Sequence, residues 1–271
     1  MKRSNRYFVK ILNNIALGIG ICLILTAPVF AQTAGSNSAT APLPITIEAN
    51  DFLEWNQTDG TYIAKGDAYV EQGQANISAN HIIANYATEG ETRDITQVTA
   101  NGSVTYIEGE NTAKGEKLDY DLISSLYVLT GKNASVTGPK GTVTATESIS
   151  YDSSANNNRK VTAIGKAHYK NSDGRNVFGD KLIAYIGADG TLKTIDAYDN
   201  TKVITAQGTV ATADELNYIA STSMANLDGN VEIIDKENIM RGARAKIDFD
   251  KEISKIISGP TGKRVTGILT P

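Results

Sequence analysis

Few side chains in this sequence are spaced for bond-making chemistry. The two histidines, His81 and His168, have no second histidine at metal-ligand spacing, and the Ser-His-Asp, His-Glu-x-x-His and phosphate-loop patterns are absent. Asp and Glu are plentiful, so composition alone leaves open the paired carboxylates of a glycoside hydrolase. No ladder of Asp on a shared turn supports that rival, and the Gly- and Asp-rich calcium nonapeptide is missing. The side chains that do fall into a pattern are apolar and aromatic. Ala84/Tyr86, Leu118/Tyr120, Ile149/Tyr151, Ile183/Tyr185, Leu216/Tyr218 and Ile247/Phe249 repeat one motif, with successive aromatics 31 to 34 residues apart. Such a row offers burial of hydrocarbon rather than catalysis. The sequence therefore predicts a non-enzyme with no cofactor and no bound metal.

The elements that must position this row are strands. Each pair stands at i and i+2, which share a face of a strand and not of a helix. A second beat lies upstream in most copies, an apolar pair running into glycine: Val98/Ala100–Gly102, Tyr127/Leu129–Gly131, Val161/Ala163–Gly165 and Ala225/Leu227–Gly229. Two strands of roughly ten to twelve residues fit each unit, long by ordinary standards. Glycine partway along a long strand predicts a bend or bulge. In the first unit the inward parity shifts between Ile77/Ala79 and Ile82/Ala84/Tyr86, as a corner requires. Asp59-Gly60, Asp173-Gly174, Asp189-Gly190 and Asp228-Gly229 read as turns, and the polar stretch Ser153–Asn158 reads as a loop. A fixed period of this length marks units that bury their inner faces by stacking on neighbours.

The N-terminus reads as an export signal. Lys2, Arg3, Arg6 and Lys10 precede an apolar run, and Val29-Phe30-Ala31 supplies small residues for cleavage after Ala31. Cleavage leaves 240 residues and removes Cys22, the only cysteine, so no disulfide or thiolate chemistry remains. The signal holds four basic and no acidic residues, so net charge moves from −4 to −8. That balance, with no basic stripe, argues against nucleic-acid binding. An uncleaved anchor is the alternative. Residues 32–44 read as a flexible lead-in, and 45–271 as one β domain without an internal linker. The Asn-x-Ser/Thr sites at Asn56, Asn76, Asn101 and Asn133 reflect a composition rich in these residues, and Trp55 reads as edge packing.

Periodicity alone leaves two readings of the aromatic row: a filled core, or an apolar groove left by inward alanines such as Ala64, Ala79 and Ala163. A family resemblance bears on the choice. Pro44-Ile45-Thr46-Ile47-Glu48-Ala49 leads into Ala64-Lys65-Gly66-Asp67-Ala68-Tyr69-Val70. Asp119-Tyr120-Asp121-Leu122 precedes Tyr127-Val128-Leu129-Thr130-Gly131, and Gly262-Lys263-Arg264-Val265 stands near the end. In that order these stretches resemble the OstA-like (LptA) family of periplasmic lipopolysaccharide-transport proteins, whose members carry fewer copies of the unit.

The resemblance implies an all-β fold, an elongated, twisted antiparallel β-jellyroll whose folded-over sheet encloses an apolar groove for lipid A acyl chains. It implies that Ile45, Ile47, Tyr120, Leu122 and Tyr106 line that groove. The repeat extends the expectation to Tyr86, Leu118, Ile183, Tyr185, Leu216, Tyr218, Ile247 and Phe249. Expected partners are lipopolysaccharide, an LptC-type inner-membrane protein at the N-terminal edge, an LptD-type outer-membrane protein at the C-terminal edge, and further copies head to tail. Lys263 and Arg264 are candidates for sparse phosphate contact, or else charges that guard an exposed edge. The expected role is a periplasmic bridge. Its rivals are a structural or adhesive repeat protein with a filled interior, and a membrane-anchored LptC-like relative.

Overall fold

The structure, a computed structural model, describes residues 44–88, 94–155, 158–259 and 264–270. The expected export signal, most of the lead-in, Lys263 and Pro271 lie outside the described residues. Among the described residues eighteen strands form one hydrogen-bonded sheet. They are β1 (Thr46–Glu48), β2 (Phe52–Asn56), β3 (Thr61–Gln72), β4 (Ala75–Tyr86), β5 (Ile95–Glu108) and β6 (Asn111–Asp121). Next come β7 (Leu126–Thr130), β8 (Ala134–Gly138), β9 (Gly141–Ala145) and β10 (Ser148–Asp152). Then follow β11 (Arg159–Asn171), β12 (Asn176–Ile186), β13 (Leu192–Ile204), β14 (Val210–Ile219), β15 (Met224–Asp235), β16 (Asn238–Asp248), β17 (Ile253–Ile257) and β18 (Thr266–Ile268).

The topology is an antiparallel meander in which every long strand is bent. β3 pairs Thr61–Lys65 with His81–Asn85 of β4, then Ala68–Gln72 with Ala75–Ala79, and the register shifts in between. The same interruption recurs between β5 and β6, β11 and β12, and β15 and β16 (at Asp228/Val231) in the last case. It divides each strand into two limbs. The first limbs adjoin the turns at 73–74, 109–110, 139–140, 172–175, 205–209 and 236–237. The second limbs adjoin the turns at 57–60, 122–125, 187–191, 220–223 and 249–252. In the middle of the sheet the bend breaks the strands outright. β6 pairs with β7 through one limb and with β8 through the other, and β11 does the same with β10 and β9.

The glycine beat of the sequence is this corner. Gly102 and Gly229 have φ of +80° and +79°, and the residues after them, Ser103 and Asn230, also have positive φ. Two successive left-handed residues turn the chain sharply, and only glycine takes up that region without cost at the first position. Space forbids a side chain as well: a Cβ on Gly229 would run into the Asp214 carboxylate, and one on Gly102 would lie 2.5 Å from Asn80 Nδ2. Polar side chains tie the corner across strands, with Asn230 Nδ2 donating to Asp214 (2.9 Å) and Asn200 Nδ2 to Asp180 (2.7 Å). Asp228-Gly229 is thus a corner inside β15 and not a turn. Asp173-Gly174 and Asp189-Gly190 do lie in hairpin turns, and the β10–β11 connection falls within Ser153–Asn158.

Folding along the corner sets the inner faces of the two limbs against each other and makes one apolar interior. Its core includes Ala68, Ala100, Val104, Leu129, Ala134, Leu182, Ala197, Leu227 and Ile233. Small residues dominate near the corner, where the limbs converge, and larger ones stand toward the rims. The sheet ends in two edges. β1 and β2 together form one bent edge strand on β3, and β17 and β18 form the other on β16. Both carry exposed apolar side chains: Phe52, Leu53 and Trp55 at the first, and Ile253, Ile268 and Leu269 at the second.

Candidate functional site: an apolar slot with a tyrosine waist

Between the limbs of β1–β7 lies a cavity of about 440 Å³. Ile47, Val70, Ile77 and Tyr106 line it from the first limbs. Tyr62, Ile82, Ala84, Val98, Leu118 and Tyr120 line it from the second. Its shape follows from residue size. Alternate inward positions hold alanine or valine beside tyrosine or isoleucine, so the opposed faces cannot close completely. A second cavity of about 370 Å³ lies between the limbs of β9–β13, lined by Val143 and Tyr169 on one side and by Val161, Leu182, Ala184, Ile186 and Ile195 on the other.

A column of phenols stands between the two cavities. Tyr120, Tyr127 and Tyr151 are register partners on β6, β7 and β10. The first two rings are stacked, with centroids 3.8 Å apart and planes 10° from parallel, and the third follows at 5.9 Å. Across the slot, Tyr106 donates to Glu108 Oε2 at 3.1 Å. Burial pushes the Glu108 carboxyl above its usual range, against the pull of the Tyr106 hydrogen bond. Burial likewise pushes the Tyr106 and Tyr127 phenols far up, with the Glu108 charge adding to both, so they stay protonated. The Tyr127 and Tyr151 hydroxyls are buried, the first facing the Tyr120 hydroxyl and the second the Arg159 guanidinium.

The expected site residues fall into four groups. Ile45, Ile47, Tyr106, Leu118 and Tyr120 line the first cavity. Tyr86 and Leu122 adjoin it: Tyr86 is buried, takes a hydrogen bond from Trp55 Nε1 (3.0 Å) and packs on Tyr62 (5.1 Å), and Leu122 packs against the core. Leu216, Tyr218, Ile247 and Phe249 face inward where the limbs are packed together, and they line neither cavity. Ile183 and Tyr185 face outward. Their register partners are Thr162 and Asp196, and Lys160 and Thr194, while Leu182 and Ile186 take the buried positions. The segment Leu182–Ile186 is apolar on both faces, so alternation cannot choose its parity, and a shift of one residue reverses the faces.

Other lining residues were not singled out by the repeat. Tyr127 was visible in the glycine beat, and its partnership with Tyr120 follows from the short turn between them. Trp55 lies at the sheet edge yet also lines the first cavity, stacked on Tyr62 at 5.8 Å. Val143 and Tyr169 belong to β9 and β11, where the periodic beat is weak. His168 stacks on Phe178 (4.2 Å) with Nε2 2.9 Å from Asn176 Oδ1, a strand-surface packing role. Among the described residues no three His, Cys, Asp or Glu side chains gather as a metal site.

Toward the C-terminus the slot is shut. Ala225, Leu227, Val231 and Ile233 are almost fully buried. Two contacts join the opposed rims: Gln207 Nε2 donates to Glu252 Oε1 at 2.9 Å, and the Arg175 guanidinium lies 5.5 Å from the Phe249 ring centroid.

Residues 46–157, which hold the first cavity and the waist, match the family model described as LptA/(LptD N-terminal domain) LPS transport protein. This segment is similar to that family over less than half of the chain. That description is of a transport protein and not of an enzyme. The LptA-like match stops where β11 begins, and β11–β18 continue the same meander beyond it. A solved structure of LptH, the LptA-homologous periplasmic component of the lipopolysaccharide transport device from Pseudomonas aeruginosa, is similar at 15% identity. It covers 84% of this chain and 96% of that one, with a TM-score of 0.23, a superposition too loose to add to the family match. No curated protein matches the chain. Among the described residues no helix is long and apolar enough to cross a membrane.

Proposed function

We propose that this chain is a non-enzymatic periplasmic carrier that shields lipopolysaccharide acyl chains in the slot and helps move them from the inner to the outer membrane. The observation that carries the reading is the 440 Å³ apolar cavity inside the LptA-like segment. Its volume is in the ordinary range of ligand sites, about 300–1,000 Å³. Each buried methylene contributes about 0.8 kcal/mol, so hydrocarbon needs enclosed area more than specific contacts. Groove residues are then Ile45, Ile47, Tyr106, Leu118 and Tyr120, with Tyr86 and Leu122 beside them.

The sheet edges are the surfaces for assembly. An unpaired strand edge is ordinarily an aggregation hazard, but it can serve as a docking surface through strand addition. In this reading β1–β2 take an LptC-like inner-membrane partner, and β17–β18 take an LptD-like outer-membrane partner or the next copy head to tail. Residues 1–31 act as a cleaved export signal, and 45–271 act as a single unit.

The rival of a filled-core repeat protein draws on the packed C-terminal units. Photo-crosslinking decides between them. A photoreactive side chain at Ile47 or Tyr120, and another at the outward position Glu232, are introduced into protein lacking residues 1–31 and incubated with lipopolysaccharide. Crosslinks from the inward sites alone support the carrier. Folded protein that gives no crosslink from Ile47 or Tyr120 refutes it.

A further inference from the structure

One row of inward side chains crosses the second limbs, and the sizes along it set where the slot is open. Ala84 and Val98 are consecutive register partners between Tyr62 and Tyr120. Tyr120, Tyr127 and Tyr151 follow as three adjacent rings. Beyond Tyr151 the row is aliphatic again at Val161, Ala184 and Ile195, and it returns to an aromatic at Tyr218. The two cavities occupy the two aliphatic stretches and share no lining residue. The second is walled on its far side, because Tyr218 packs edge-on against Phe249 at 5.8 Å and Phe249 meets Arg175 of the opposite rim. Lys140, Asn171, Asp173 and Thr191 line it from the turns at its mouth. These groups carry both signs of charge, and Asn171 Nδ2 donates to Asp173 at 3.3 Å. The mouth is therefore a wettable rim that selects no headgroup charge, while the walls are aliphatic.

We propose that the cavity between Tyr151 and Tyr218 is a separate binding site for one fatty acyl chain, filled independently of the first cavity. Its 370 Å³ lies in the range of small-ligand sites, about 300–1,000 Å³. Apolar walls contributed by both limbs favour hydrocarbon through the area they remove from water. A chain in this bay reaches the first cavity only if the stacked Tyr120, Tyr127 and Tyr151 rings part. All of its lining residues except Lys140 and Val143 lie beyond residues 46–157, so the family match does not account for it. The inference rests on the carrier reading and gives the slot two bays where that reading requires one.

The test counts dodecanoic acid bound per molecule, by calorimetry, in the unaltered protein and in its A84F and A184F variants. Ala84 and Ala184 hold corresponding places in the row, one in each bay. Phenylalanine there resembles the tyrosines that the row already carries, and circular dichroism confirms the fold. Two equivalents are expected in the unaltered protein and one in each variant. A single equivalent in the unaltered protein overturns the second bay, and if A84F abolishes it the carrier reading stands. Loss of both equivalents in either folded variant means one continuous groove and overturns the separate bay too. Binding of none by the unaltered protein overturns both readings. Should a variant fail to fold, dodecanoic acid with a diazirine at its methyl end is mapped on the unaltered protein by mass spectrometry. Labels around Ala84 and around Ala184 uphold the two bays, and labels confined to the first cavity overturn the second. Competition with lipopolysaccharide identifies the source of the second chain. Displacement of both equivalents assigns it to lipopolysaccharide, displacement of one assigns it to a separate lipid, and either supports the second bay.

Discussion

Tyr120 and Tyr127 lie ring on ring, 3.8 Å between centroids, because a turn of four residues brings them opposite each other on β6 and β7. Tyr151 extends the column across β10. Cross-strand aromatic pairs of this kind stabilise a sheet beyond the area they bury. Here the column also separates the two cavities.

Truncating the first ring of that column leaves a void that the corner-locked limbs cannot close. Y120A should cost about 3 kcal/mol, the scale of aromatic-to-alanine changes in cores. Urea denaturation monitored by circular dichroism measures it. A cost within the scatter of surface substitutions would show that the limbs collapse around the gap.

The corner glycines are required by both conformation and space. G229A should destabilise by about 2 kcal/mol, since a non-glycine residue at this φ is strained and its Cβ meets the Asp214 carboxylate. Adding D214A removes the obstruction but not the strain. The double variant should therefore lose less than the sum of the two single losses, by about 0.5–1 kcal/mol. Strict additivity would mean that conformation alone selects glycine.

Glu108 gives a pH signature. Burial raises its folded-state pKa above the unfolded value. Its contribution to stability is therefore full below the ordinary glutamate range of about 4.3 and is lost as pH rises through the raised folded value. E108Q keeps the uncharged form at every pH. The melting temperature of E108Q relative to the unaltered protein should rise between pH 4 and pH 8. A flat difference would place the carboxylate in water.

Asp121 carries the opposite sign. Its Oδ1 accepts the backbone N–H groups of Ser124 and Ile123, both at 2.9 Å, and these bonds hold the carboxyl below its usual range. The stability it supplies is present above the unfolded aspartate pKa of about 3.9 and lost as pH falls through the lowered folded value. D121N should destabilise at pH 7 and have little effect at pH 2, as read by thermal melts. Equal loss at both pH values would assign the effect to shape and not to charge.

The parity of β12 predicts a contrast between adjacent residues. A photoreactive side chain at Ala184, which lines the second cavity, should crosslink bound lipopolysaccharide, and one at Tyr185 should not. The reverse pattern would return the inward row to Ile183 and Tyr185.

Much of this architecture is legible in the sequence. The i, i+2 pairs give strands, the Gly102, Gly165 and Gly229 beats give corners, and the change of parity between Ala79 and Ile82 gives the fold of each strand into two limbs. These features are local, because pleat and backbone sterics act over a few residues. Leu118/Tyr120 and Ile149/Tyr151 are readable as an inward row because polar residues alternate with them. At Leu182–Ile186 every residue is apolar, and the sequence has no preference to show.

The bent-strand repeat and its aromatic beat are properties of the sequence alone, as is the resemblance carried by Pro44–Ala49, Ala64–Val70, Asp119–Leu122 and Tyr127–Gly131. The tertiary structure decided which units enclose space and which are filled. Whether a row of alanines and tyrosines packs or leaves a cavity depends on what the opposite limb presents across the slot, and that limb is contributed by other parts of the chain. Tyr106 shares a cavity with Tyr120 and Tyr127 only because the corner folds one limb over the other. Toward the C-terminus the same repeat closes on Leu227 and Ile233 and is joined across the rims by Gln207 and Glu252. Periodicity specifies which face is apolar, while the distance between two such faces is a property of the folded sheet.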